Sequence, residues 1–175
     1  MITTSEVKKQ IRDVVDFPQK GIVFRDLTTA FKRAECMDFF LNEMYRLYCD
    51  KGLTKIIGIE SRGFIMAPVL ACRLGVGFVP IRKKGKLPAE TIDQSYSKEY
   101  GIDTIQIHKD ALSCNDVVLI HDDLLATGGT MRAACELVKK IGVRKIYVNF
   151  LVELDTLKGR NVFDSDIEVT SMIHY

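Results

Sequence analysis

Apolar residues fall along this chain in short unbroken runs that alternate with stripes at helical spacing. Val117, Val118, Leu119 and Ile120 form the clearest run, which predicts a strand buried on both faces. Ala133, Ala134, Leu137, Val138 and Ile141 follow at helical spacing, so a strand, a turn and a helix succeed one another. The same order recurs earlier. Lys55-Ile56-Ile57-Gly58-Ile59 predicts a buried strand, Glu60-Ser61-Arg62-Gly63 a polar turn, and the apolar residues from Phe64 to Leu74 a helix. Gly77-Phe78-Val79-Pro80-Ile81 predicts a third strand, residues 143–152 a fourth, and residues 167–173 an edge strand. Helical stripes are expected over residues 5–15, through Val7, Ile11, Val14 and Val15, and over residues 36–48, through Phe39, Phe40, Met44 and Leu47. Between them, Pro18 and Gly21 predict turns before a brief extended segment at residues 22–24. Residues 89–107 alternate loosely and read as a long hairpin leaving the main sheet. Together these elements predict an α/β fold with a mainly parallel twisted sheet and flanking helices, whose ligands belong at the carboxyl ends of the strands.

The polar residues at those strand ends supply the candidate chemistry. After Ile120 come His121, the acid pair Asp122 and Asp123, and then Ala126-Thr127-Gly128-Gly129-Thr130 at a predicted helix N-terminus. Small residues, hydroxyls and free backbone N–H groups at such a terminus suit a phosphate. The carboxylates would repel that phosphate, so they are expected to face hydroxyl groups or a cation. Ser61, Arg62 and Gly63 form a second turn of the same kind, and Arg82, Lys83, Lys84 and Lys86 crowd the end of the third strand. Clustered cations are costly unless water or an anion neutralises them, which points to an anion clamp. His121 reads as a neutral imidazole hydrogen-bonded inside the sheet rather than as a catalyst. An acid pair with a phosphate cradle, an Arg-bearing turn and a basic loop together match a substrate with a phosphate, a diol and a pyrophosphate.

Composition narrows the class. At 175 residues the chain is expected to be one domain, residues 1–175. A net charge of +2 without a basic tract gives no reason to expect a nucleic-acid partner. Cys36, Cys49, Cys72, Cys114 and Cys135 are scattered and never in a CxxC spacing, which disfavours a disulfide framework or a zinc site. The N-terminal residues lack the apolar core of a signal peptide, and no apolar run reaches the ~20 residues of a membrane span, so a cytoplasmic location is expected.

The strings Asp16-Phe17-Pro18, Gly21-Ile22-Val23-Phe24-Arg25-Asp26, Glu60-Ser61-Arg62-Gly63-Phe64, Ile81-Arg82-Lys83-Lys84-Gly85-Lys86-Leu87-Pro88, Ser95-Tyr96-Ser97-Lys98-Glu99-Tyr100-Gly101 and Asp122 to Thr130 follow one another along the chain. In this order they resemble the adenine phosphoribosyltransferases of the type I phosphoribosyltransferase family over nearly the whole length. The resemblance implies the type I fold, with a small hood from the N-terminal region and a long flexible loop or hairpin. It implies transfer of a phosphoribosyl group from phosphoribosyl pyrophosphate (PRPP) to adenine, giving AMP and pyrophosphate with Mg²⁺, in a homodimer. By position, Ala126, Thr127, Gly128, Gly129 and Thr130 would hold the 5′-phosphate, and Asp122 and Asp123 the ribose hydroxyls, directly or through metal-bound water. Ser61, Arg62, Arg82, Lys83 and Lys86 would surround the pyrophosphate. Backbone near Val23 and Arg25 would read the adenine edge between Phe24 and Leu124, and Glu99 would exchange a proton with a purine nitrogen. Two rivals stand beside this reading: a phosphoribosyltransferase for another base, and a ligand-sensing regulator without turnover, for which the chain has neither spare length nor a basic helix.

Overall fold

The computed structural model describes residues 2–97 and 101–175. The chain begins with helix α1 (Thr4–Gln10), strands β1 (Arg12–Val15) and β2 (Val23–Asp26), and the short helix α2 (Thr28–Phe31). β1 and β2 pair antiparallel as a separate two-stranded sheet, the hood expected from the family resemblance. The helix expected over residues 5–15 stops early. Val7 and Ile11 are buried, but Val14 and Val15 pair with Phe24 and Val23 in the hairpin. Two branched residues in succession fit a strand better than a helix, and the cross-strand pairing decides the matter.

Helix α3 (Ala34–Tyr48), strand β3 (Lys55–Ile59), helix α4 (Gly63–Leu74) and strand β4 (Gly77–Lys83) follow, then β5 (Thr91–Ser97), β6 (Ile102–His108), β7 (Val117–Leu125), α5 (Gly129–Lys139), β8 (Lys145–Glu153) and β9 (Glu168–His174). The main sheet runs β5-β6-β4-β3-β7-β8-β9, and its five strands from β4 to β9 are parallel. The hairpin β5–β6 does not leave this sheet. It adds antiparallel to β4 through Arg82 opposite Gln106 and Lys83 opposite Ile105, so the alternating segment becomes the sheet's edge. Its loose alternation predicts pairing but not the partner, because an edge strand needs only one apolar face.

Both faces of the parallel strands are covered, which is why they read as unbroken apolar runs. On one face Ile57, Ile120 and Val148 pack with Ala134, Leu137 and Val138 of α5. On the other, Ile56 and Leu119 pack with Phe40 and Met44 of α3 and Met66 and Leu70 of α4. Each large side chain so buried contributes roughly 1.5–3 kcal/mol. One polar row crosses this second face at a single level of the register: His121, Asn149 and Thr170 stand opposite one another on β7, β8 and β9. His121 Nδ1 lies 2.9 Å from Asn149 Oδ1, Asn149 Nδ2 donates to Thr170 Oγ1 at 2.9 Å, and that hydroxyl meets the Tyr48 phenol of α3 at 2.5 Å. Burial pushes the His121 imidazole down to about 4 against the opposing pull of Asn149, so it is neutral at neutral pH. This agrees with the structural role read from the sequence.

Candidate active site

Three strand ends converge at one edge of the sheet. β7 carries Asp122 and Asp123 to its end, and the chain turns at Gly128, whose φ of 82° lies in the left-handed region that favours glycine. Gly128 is the N-cap of α5 and no side chain caps that helix, so its first N–H groups remain available to an anion. The resulting hollow, about 110 Å³, brings together Ala126, Thr127, Gly128, Gly129 and Thr130, the residues expected from the sequence to hold a phosphate. What the sequence did not reveal is its support. The loop rests on the short 3-10 turn Gly159–Val162: a Cβ on Gly128 would lie 2.7 Å from the Gly159 carbonyl oxygen, and one on Gly159 only 2.2 Å from that of Ala126. Gly159 lies in a segment that reads only as a polar turn, and a lone glycine there carries no signal of a backbone packed against it.

The second turn reaches the acid pair through another close approach. A Cβ on Gly63 would sit 2.6 Å from the His121 carbonyl oxygen, so glycine lets the start of α4 press against β7. Arg62, the N-cap of α4, then places Nε 3.0 Å from Asp123 Oδ2. Asp123 is only 2% exposed. Burial raises its carboxyl pKa despite the opposing charge of Arg62. Burial also raises Asp122 well above the usual carboxylate range, reinforced by the charge of Asp123, although the Asp123 N–H donates to Asp122 Oδ1 at 2.9 Å. Two carboxyls that resist ionisation side by side form a site that gains from hydroxyl donors or a cation.

A cleft of about 470 Å³ joins this pair to Ser61, Arg62, Lys83, Lys86, Leu124 and Thr130, with Glu60 and Tyr96 also on its wall. The Tyr96 phenol accepts from Thr130 Oγ1 at 3.1 Å and so ties the edge hairpin to the start of α5. Arg82 stands behind the wall rather than on it, held by Glu60 and the Lys86 carbonyl. Glu60 organises the basic run and was not singled out in the sequence. Burial alone would raise its carboxyl, but hydrogen bonds from Lys86, the Lys83 backbone N–H and Arg82 hold it down at about 2. A carboxylate beginning a polar turn looks like any surface acid until its partners are seen.

The hood supplies the fourth side. Phe24 packs edge-on to Phe17 at 5.3 Å between ring centres, and the Arg62 guanidinium lies 5.1 Å from the Phe24 ring centre, which links hood to cleft. Val23 is 39% exposed, and Arg25 is ion-paired with Asp13. Glu99 lies outside the described residues. The hood is also clasped from beneath, because Arg25 and Lys8 each place their charge 4.1 Å from the ring centre of Tyr175. Tyr175 is itself fixed by backbone hydrogen bonds to Glu153 and Asp155. Tyr175→Ala is expected to speed amide exchange over residues 12–26 by on the order of tenfold, the worth of one or two cation–π contacts. Hydrogen-exchange mass spectrometry should localise the change to the hood and leave β7 and β8 protected.

Comparison with known proteins agrees with this geometry. A family model described as phosphoribosyl transferase domain matches residues 38–172. The adenine phosphoribosyltransferase of Bacteroides thetaiotaomicron is 63% identical over 165 residues, covering 94% of both chains. The crystal structure of the Rhodothermus marinus enzyme of that name superposes with a TM-score of 0.93 at 42% identity, covering 98% of each chain. The Giardia lamblia enzyme, solved with 9-deazaadenine, gives 0.93 at 40% identity, covering 100% of this chain and 99% of that one. With a type I architecture, a glycine-entered helix turn after an acid pair and identity of this order over nearly the whole length, the chain belongs to the adenine phosphoribosyltransferase family.

Proposed function

We propose that this cleft transfers the 5-phosphoribosyl group of PRPP to adenine, releasing AMP and pyrophosphate, with the residues in the following roles. A bond forms between the anomeric carbon and a purine nitrogen while the bond to pyrophosphate breaks. Positive charge grows on the ribose and negative charge on the leaving group, so catalysis rests on positioning and on stabilising the departing anion. The turn 126–130 holds the 5′-phosphate on backbone N–H groups. Asp122 and Asp123 accept from the ribose hydroxyls. Ser61, Arg62, Lys83 and Lys86 face the pyrophosphate, with Arg82 behind them. Phe24 and Leu124 flank the adenine, whose edge meets backbone near Val23 and Arg25. The observation that carries the reading is the adjacency of an acid pair and an uncapped, glycine-entered helix N-terminus on one cleft.

The family works with a metal ion, and Mg²⁺ fits the donors present: the hard carboxylate oxygens of Asp122 and Asp123, which lie on the cleft wall. When bound, Mg²⁺ supplies charge neutralisation to the pyrophosphate. No helix among the described residues is long and apolar enough to cross a membrane, and a cytoplasmic enzyme is our reading. A homodimer is our reading as well, and Tyr45, Val69 and Phe78, on α3, α4 and β4, are large apolar side chains left exposed in the single chain.

Release of pyrophosphate from PRPP only when adenine is supplied, and not with hypoxanthine, xanthine or orotate, is the expected result. Pyrophosphate release with another base instead would reassign the base pocket, and binding of PRPP without turnover would make the chain a sensor. Glu99→Gln is expected to lower kcat by on the order of a hundredfold, the usual worth of general acid–base catalysis, with PRPP affinity unchanged. Steady-state kinetics with an unaltered kcat would remove Glu99 from the proton transfer.

A further inference from the structure

Glu60 has no part in the roles above, yet it accepts hydrogen bonds from Arg82, Lys83 and Lys86 together. Its Oε1 accepts from Lys86 Nζ at 2.6 Å and from Arg82 NH2 at 3.3 Å, and its Oε2 accepts from Arg82 Nε at 3.3 Å and from the Lys83 N–H at 3.1 Å. The remaining Arg82 nitrogen, NH1, donates to the Lys86 carbonyl at 3.1 Å. Each Arg82 nitrogen therefore has a partner within the chain, and the Lys86 ammonium is ion-paired with the same carboxylate. Glu60 also faces the cleft, its side chain 11% exposed, so an anion brought to these donors meets a fixed negative charge already in place.

We propose that Glu60 is an internal counter-anion that competes with pyrophosphate for Arg82, Lys86 and the Lys83 backbone N–H, limiting how tightly the site retains its leaving group. The inference rests on the assignment of these cations to pyrophosphate. A site that gathers cations and leaves them bare binds its anionic product as well as its transition state, and uniform binding of that kind does not raise kcat. A resident carboxylate lowers the net field felt at the site and returns to the donors as the product leaves. The opposing possibility is that Glu60 only orients the cations. The two roles differ in sign: a competitor weakens pyrophosphate binding, whereas a scaffold strengthens it.

Titration calorimetry of the purified protein with inorganic pyrophosphate and Mg²⁺ separates them. Glu60→Gln keeps the shape and removes the charge, and should tighten pyrophosphate binding by on the order of tenfold or more, as expected for deleting a neighbouring like charge. Forward kcat should fall and product inhibition by pyrophosphate should strengthen. Equal or weaker binding by Glu60→Gln overturns the proposal. Should that variant fail to fold, Glu60→Asp withdraws the carboxylate by one methylene and should shift affinity the same way by less; weaker or unchanged binding there also overturns it. Lys86→Ala reports on the underlying assignment separately. It should weaken pyrophosphate binding, and wild-type affinity in that variant would mean that the cation does not meet pyrophosphate at all.

Discussion

Gly159→Ala should lower the thermal midpoint by roughly 5–10 °C, the equivalent of a few kcal/mol of overpacking in a chain of this size. The added Cβ would stand 2.2 Å from the Ala126 carbonyl oxygen and 2.9 Å from Leu125 Cδ1. The first neighbour is backbone and cannot rotate aside, so either the Gly159–Val162 turn or the phosphate loop must move. Since Ala126 lies in the cradle, PRPP affinity should fall with stability, by tenfold or more if the N–H groups lose their aim. Differential scanning fluorimetry and a PRPP titration on one preparation measure both. An unchanged midpoint would show that the turn yields without strain and that the loop does not depend on it.

Asp122→Asn should move the same two measurements in opposite directions. Burial raises both carboxyls of the pair in the folded chain, and Asp122 goes well above its ordinary value with the added charge of its neighbour. Folding therefore takes up protons, and the stability contributed by the pair falls as pH rises from the usual carboxylate range through the raised values. Above that window the ionised pair opposes folding. An amide in place of Asp122 removes this cost, so the midpoint at neutral pH should rise. The same change deletes an anionic acceptor for a ribose hydroxyl, weakening PRPP by about ten- to a hundredfold, the worth of one or two hydrogen bonds to a charged group. In the wild type, PRPP affinity should decline as pH drops through the raised values, because the protonated pair accepts less well. Melting curves between about pH 4 and 8 test the linkage. A midpoint that falls in Asp122→Asn would mean that the pair is already compensated within the fold.

Most of the parallel core was legible because buried strands and helices each repeat one physical requirement over many residues. Val117 to Ile120 had no polar alternative to a strand covered on both faces, and the Ala133 to Val138 stripe no better alternative to a helix. The glycine turn that opens α5 was legible for a related reason, since Gly128 stands where the backbone enters the helix with a positive φ. The acid pair and the two basic turns were likewise found where a strand ends. Contacts between segments remote in sequence were not legible. Gly159 supports the turn at Gly128 from 31 residues downstream, and Glu60 gathers donors from the next strand end. Tyr175 steadies a hood formed near the opposite end of the chain. At residues 12–15 a helical stripe and a strand pair compete on similar local terms, and the pairing of Val14 with Phe24 settles it.

The polar row through His121, Asn149 and Thr170 gives the sheet a vernier. Parallel strands that are apolar on both sides lose little hydrophobic burial when one slips past the next, so greasiness alone does not choose their alignment. A displacement of β7 by one residue against β8 would turn the imidazole toward α5 and strand the Asn149 amide among hydrocarbon, at a cost of roughly 1–3 kcal/mol for each orphaned group. Because Asp122 and Asp123 are the next two residues along β7, the same misalignment would carry the carboxylates away from Arg62. The buried histidine thus indexes the strand, and the placement of the acid pair in the cleft is inherited from a notch one residue below it.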